Sequence, residues 1–172
     1  LPKEIFINKG TARIANTDRK VVFDLYDLNG KVLQYTPENG VPISVIWGYN
    51  KTLPIAKLEN VSYNSISPAN INTLQSISNN GSERDLLLAL NGLRSSFPQA
   101  MVSTYTYKSL IGMTSFTDSR GISLFYDYDD FNRLSFELWE TIGMYISGRN
   151  GAFIYISDSV ISNRLILNTI VV

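Results

Sequence analysis

The sequence predicts a mainly β fold, with antiparallel hairpins forming a curved sheet strip and a two-helix insertion near residues 68–97. Three observations predict it. Alternating apolar and polar runs end in turn residues along most of the chain, the mark of hairpins with one buried face. Aromatic residues make up 12% of the sequence, with ten Tyr, and Tyr favours half-buried pleated surfaces where its ring packs and its hydroxyl stays wet. Apolar residues at helical spacing appear only in the stretch after residue 67.

Four phrases can be superimposed: VFDLYDLNGKVLQYT (22–36), VIWGYNKTLPIAKLE (45–59), STYTYKSLIGMTSFT (103–117) and LFYDYDDFNRLSFEL (124–138). Each runs into a Tyr (Tyr26, Tyr49, Tyr107, Tyr128), then Asp27, Asn50, Lys108 or Asp129, a short turn and a second alternating run. Gly30 after Asn29 suits a turn that needs positive φ. Two of the three intervals between these Tyr are about twenty residues, a spacing typical of repeat architectures. The third is longer and contains the insertion.

Within it, Ser67 and Pro68 read as N-cap and first helical position, and Ile71, Leu74 and Ile77 follow at helical spacing. Asn79, Asn80 and Gly81 stop that helix. Ser82 with Asp85 is a looser capping box, and Leu86, Leu90 and Leu93 form one stripe before Pro98. The expected helices run over 68–78 and 83–95. Val22, Leu25, Val45, Ile46 and Leu124 are expected to lie in the core. Residues 135–172 read as atypical terminal strands, two of them within 151–172 with a break near Ser162 and Asn163. With no low-complexity linker, residues 1–172 read as one domain.

Composition narrows the chemistry. Fifteen basic and fifteen acidic residues cancel, so no broad field points to nucleic acid. The chain has no Cys and no His, which removes thiol nucleophiles, disulfides, His-based triads and most zinc sites. No run approaches the ~20 apolar residues of a membrane helix, so a soluble protein without a membrane span is expected. The opening LPKEIFINKG does not read as a signal peptide, and any export signal is expected to lie elsewhere or to have been removed.

The phrase GISLFYDYDDFNRL (121–134) resembles the RHS/YD-repeat family, whose pattern is Gly, a short alternating strand, Tyr-x-Tyr-Asp, two residues and Gly-Arg-Leu. Asn132 stands where Gly is usual, and Asn also accepts left-handed geometry. FTDSRG (116–121) is similar to the Thr-Asp-Pro-x-Gly link between repeats, with Ser119 in place of Pro. Together with VIWGYNKTLPIAKLENVSY and ALNGLRSSFPQAMVSTYTYKSLIGMTS, these stretches look like the form carried by large surface or secreted proteins of Bacteroidetes-type bacteria. The likeness covers residues 1–134, and the tail departs from it. The resemblance implies a non-enzymatic segment of a secreted or cell-surface bacterial shell, often toxin-enclosing. Its partners would be further repeat sheet or a second copy, joined through open strand edges. Self-cleavage, known in some members, does not carry over, because the chain has no Asp-Pro cleavage motif.

Candidate sites weigh against packing. Asp127 and Asp129, with Asp130 beside them, are the metal candidates, yet Phe131 stands where a Ca²⁺ loop would want another oxygen. A solvated turn explains the cluster better. A glycosidase would need Asp127 and Asp130 or Glu137 facing across a cleft at about 5–9 Å, which the strand reading does not predict. Trp47, Tyr49, Tyr105, Tyr107, Tyr126 and Tyr128 are candidates for a sugar-stacking surface, the alternative function being a carbohydrate-binding or adhesive module. Cross-strand packing is the competing account. A DNA-binding reading of the helix pair has only Arg84 and Arg94 for phosphates. No catalytic residue and no cofactor is expected.

Overall fold

The computed structural model describes residues 1–8, 10, 15–140, 144–146 and 153–155. The chain is mainly β, a nine-stranded open antiparallel sheet with two helices inserted. Its strands follow chain order: β1 (Glu4–Phe6), β2 (Arg19–Tyr26), β3 (Val32–Pro37), β4 (Ile43–Gly48), β5 (Leu53–Glu59), β6 (Met101–Lys108), β7 (Gly112–Thr117), β8 (Ser123–Tyr128) and β9 (Leu134–Glu140). A four-residue turn of helix, α1 (Ala15–Asp18), precedes β2. The pair β10 (Met144–Ile146) and β11 (Phe153–Tyr155) is antiparallel. The break expected near Ser162 and Asn163 lies outside the described residues. No described helix is long and apolar enough to cross a membrane.

The chain divides into two compact units, Leu1–Thr104 and Tyr105–Val172. In the first, helices α2 (Pro68–Asn80) and α3 (Glu83–Ser96) connect β5 to β6. Both start and stop within two residues of their expected bounds. Ser67 stands at the N-cap position of α2 without a side-chain capping bond, and Pro68 follows at its first position. At α3 the Ser82 hydroxyl oxygen accepts from the Asp85 amide at 3.1 Å. Asp85 Oδ2, on a side chain one methylene shorter than Glu, accepts from the Ser82 hydroxyl at 2.6 Å.

The apolar stripes of both helices meet one face of the strands. Ile71 and Leu74 of α2 and Leu86, Leu90 and Leu93 of α3 form a single cluster with Ile46, Ile55, Leu58 and Val102. Alternation along β4 buries Ser44, Ile46 and Gly48 and leaves Val45 and Trp47 half-buried. Of the expected core, Ile46 and Leu124 are buried, whereas Val22, Leu25 and Val45 are only half so. Val45 sits on the other side of the pleat from Ile46, out of reach of the helices.

Helix α2 approaches β4 closely at Gly48. A methyl group there would lie 2.6 Å from Ser78 Oγ and 2.7 Å from Ile55 Cγ2. The same serine accepts from the Tyr49 amide at 3.1 Å, and Asn79 Oδ1 accepts from the Asn50 amide at 2.7 Å. The end of α2 therefore clamps a turn in which Tyr49, Asn50 and Lys51 all have left-handed φ (50°, 58° and 61°). Gly48→Ala is expected to destabilise the protein by about 1–3 kcal/mol through overpacking. Urea unfolding reads this as a lower midpoint at unchanged slope; an unchanged midpoint would refute the close-approach account.

Candidate functional site

Three hairpin turns share one hydrogen-bond set, each opened by an aspartate. In the first, between β2 and β3, the Asp27 amide donates to the Lys31 carbonyl at 2.9 Å, and the Gly30 amide to the Asp27 carbonyl at 3.1 Å. Asp27 Oδ1 accepts from the amides of Asn29 and Lys31 at 2.9 and 2.8 Å. In the second unit, Asp118 repeats this with Arg120, Gly121 and Ile122. Asp129 repeats it with Phe131, Asn132 and Arg133. The fourth residue has positive φ in all three: 81° at Gly30, 87° at Gly121 and 59° at Asn132. This is a three-residue hairpin loop whose last position must be left-handed, a place for Gly or Asn. The sequence signal is Asp-x-x-Gly/Asn.

Two of these turns carry Tyr immediately before the Asp. The Tyr26 hydroxyl donates to the carbonyl of Pro2, just ahead of β1. The Tyr128 hydroxyl donates to the carbonyl of Met113 in β7 at 2.8 Å, its ring lying where a side chain at Gly112 would otherwise stand. In both hairpins the register shifts just before the Tyr, and the Tyr pairs with the residue six positions on, Val32 or Leu134. The phrases at Tyr49 and Tyr107 are built differently. Tyr49 lies in the turn itself, and Tyr107 lies within β6, with Leu110 in the turn that follows supplying the left-handed position.

Charge follows the turns. Arg120 and Arg133 bind the Oδ2 atoms of Asp118 and Asp129 through Nε and Nη2, at 2.8–2.9 Å. Desolvation pushes the Asp118 carboxyl up, but the Ile122 amide, the Arg120 side chain and amide, and the Arg120 charge outweigh it and hold it below the usual range. The Arg133 amide and guanidinium, then the Phe131 amide, hold Asp129 down against a weaker desolvation effect. Depressed values mean these carboxylates favour the fold above the unfolded pKa, and that contribution is lost as pH falls through the folded values.

The candidates from the sequence are dispersed. Asp127 is exposed and accepts from the Tyr128 amide at 2.9 Å. Both oxygens of Asp129 serve its turn, and among the described residues no group of three or more acidic side chains is placed to hold a metal ion. Asp130 is exposed on the same turn, and Glu137 pairs with Tyr126 in β9. Tyr105 stacks on Phe116 with centroids 5.4 Å apart, while Tyr107 and Tyr126 are half-buried. Tyr49 packs against the apolar cluster of the first unit.

Trp47 lines a cleft. The cleft lies in the first unit, encloses about 310 Å³ and is formed by the β2–β3 hairpin, the end of β4, the 3-10 turn Tyr63–Ser65 and the start of α2. Asp27, Leu33, Trp47, Lys51, Tyr63, Asn64, Ile66, Pro68, Ile71, Asn72 and Gln75 line it. Its walls are fixed by side chains bonded to main chain. Gln75 Nε2 donates to the Trp47 carbonyl at 3.0 Å, Trp47 Nε1 to the Val32 carbonyl at 2.8 Å, and the Tyr63 amide to Gln34 Oε1 at 2.9 Å. Lys31 Nζ sits 4.8 Å from the Trp47 ring centre. Tyr63, Asn64, Asn72 and Gln75 were not singled out from the sequence. A sequence signal that could find two of them is the i, i+3 spacing of Asn72 and Gln75 on one side of α2.

Burial, and then the negative charge of Asp27, push the Tyr63 hydroxyl above its ordinary value. The neutral phenol is favoured in the fold, so Tyr63 contributes stability below the unfolded pKa of about 10 that is lost as pH rises through the folded value. Residue-resolved NMR of the tyrosine Cζ atoms should place its ionisation above 10. Asp27→Asn should lower it without restoring the ordinary value, because burial is the larger cause; ionisation at the ordinary value in the parent protein would refute this. No protein-family model matches the chain, and no curated protein matches it.

Proposed function

We propose that this chain is a non-enzymatic scaffold segment built of Tyr-Asp hairpins, part of a secreted or cell-surface bacterial shell of the RHS/YD-repeat kind. The observation that carries this reading is the recurrence of one unit in two places. Residues 26–31 and 128–133 use the same carboxylate-capped turn, the same register shift and the same Tyr hydroxyl bond to a preceding main-chain carbonyl. Such a unit joins each hairpin to what comes before it through main-chain pairing and one side-chain tie. It can therefore be repeated without a new core being designed each time. A sheet made this way has its function in continuity, and its natural partner is more sheet.

The strand order supports that partner. β1 stands at one edge of the sheet, is only three residues long, and carries Ile5, which is 44% exposed. An edge of this kind pairs with another strand of the same repeat or with a second copy. Light scattering across a concentration series should show self-association of the chain, and Ile5→Lys should suppress it while leaving the melting temperature unchanged. A parent chain that stays monomeric throughout would overturn the open-edge part of the proposal.

The repeated unit is testable on its own. Tyr128→Phe removes one hydrogen bond and should cost about 0.5–1.5 kcal/mol, with Tyr26→Phe, more exposed, toward the low end of that range. Equilibrium unfolding measures both. If neither substitution changes stability, the hydroxyl ties do not hold the hairpins and the shared unit loses its meaning.

A further inference from the structure

We infer that the cleft of the first unit binds a neutral saccharide, one or two sugar rings in size. This does not rest on the scaffold reading, since it concerns a concave site rather than the sheet edges. Its volume of about 310 Å³ lies at the small end of ligand pockets. The chemistry of the lining chooses the ligand.

Two aromatic side chains, Trp47 and Tyr63, face a space that also holds Asp27, Asn64 and Asn72. The Trp47 N–H is already given to the Val32 carbonyl, so the indole offers the ligand carbon surface rather than a donor. The polar groups are the reverse. Asp27 Oδ1 closes its turn and leaves Oδ2 to accept. The side-chain amides of Asn64 and Asn72, on the 3-10 turn and α2, each bring an acceptor and two donors. A ligand that satisfies both halves has a C–H face for the rings and neighbouring hydroxyls that donate and accept. A pyranose has both. Lys51 on the rim is opposed by Asp27, and with Lys31 over Trp47 a phosphate is the rival that the titration must separate from a sugar.

The comparison of the three aspartate turns sharpens this. In the second unit, arginines at Arg120 and Arg133 occupy the outer oxygens of Asp118 and Asp129. In the first, the position of Arg120 is taken by Asn29 and that of Arg133 by Lys31, whose ammonium lies over Trp47. With Asn29 and Lys31 at the two positions that carry the arginines in the other turns, Asp27 keeps a carboxylate oxygen for a ligand. Lys31 also sets a cation against the aromatic ring beside it.

The test is a titration of the ¹⁵N-labelled chain with neutral mono- and disaccharides built on glucose, galactose, mannose and N-acetylglucosamine. Inorganic phosphate and glycylglycine serve as the anion and zwitterion arms. The expected result is that at least one saccharide moves the Trp47 indole and the Asn64 and Asn72 side-chain signals in a saturable way. Asn72→Ala and Asn64→Ala, both at exposed positions, should each weaken that binding roughly three- to tenfold with the melting temperature unchanged. Three results overturn the inference: no saccharide moves these signals, the shifts come from phosphate or glycylglycine instead, or the binding is indifferent to both substitutions.

Discussion

A single carboxylate oxygen accepting two backbone amides is the interaction on which three of the hairpins depend. A tight turn leaves donors that the ladder cannot reach, and buried or crowded amides without partners are costly. Asp at the first position meets two of them at once, and the left-handed residue at the fourth brings the strands back into register. Register then decides everything downstream, because a slip of one residue would exchange the two faces of a strand. In all three turns the residue before the Asp pairs with the residue five after it: Tyr26 with Val32, Thr117 with Ser123, Tyr128 with Leu134. At Thr117 and Ser123 the two hydroxyls also meet, at 2.9 Å.

The two units stabilise their strands by different means. The first has an aliphatic cluster because α2 and α3 cover one face. Among the described residues of the second, the buried side chains are Leu124 and four hydroxyl-bearing ones, Thr106, Thr114, Ser115 and Thr117. Thr106 meets Thr114 at 2.9 Å and Ser115 at 2.6 Å. Hydroxyls contribute less on burial than leucines, but each needs its partner in place. A ladder of them penalises the wrong register more than it rewards the right one. The ladder thus marks the register of β6 and β7, whose turn has no aspartate, while the Asp118 turn sets that of β7 and β8.

What could be read in the sequence was whatever is local. The cap at Ser67 and Pro68, the stripe Leu86, Leu90 and Leu93, and the positive φ of Gly30 all follow from neighbours within one turn of chain. The alignment on Tyr was misleading for the same reason. Tyr49 matches the phrase, but three consecutive left-handed residues there are held by Ser78 and Asn79, thirty or so residues away. Nothing near Tyr49 announces that clamp. The recurrent feature is the Asp with Gly or Asn three positions later, which groups the turn at Asp118, read as a link between repeats, with the other two. The cleft was the least legible part. Trp47 stood out as an aromatic on a strand, but its companions come from residues 63–75, and their convergence depends on how α2 lies along β4.

The turn chemistry and the cleft are thus linked rather than merely adjacent. Asp27 cannot leave its turn without losing two amide bonds, so its second oxygen is held in place by the fold rather than by a ligand. The same holds for Trp47, fixed by Val32, and for α2, fixed through Gln75. Groups positioned before a ligand arrives cost little to organise on binding. In the second unit Arg120 and Arg133 bind the outer oxygens of Asp118 and Asp129, whereas in the first Asn29 and Lys31 stand at those positions and the Lys31 ammonium lies over Trp47 instead.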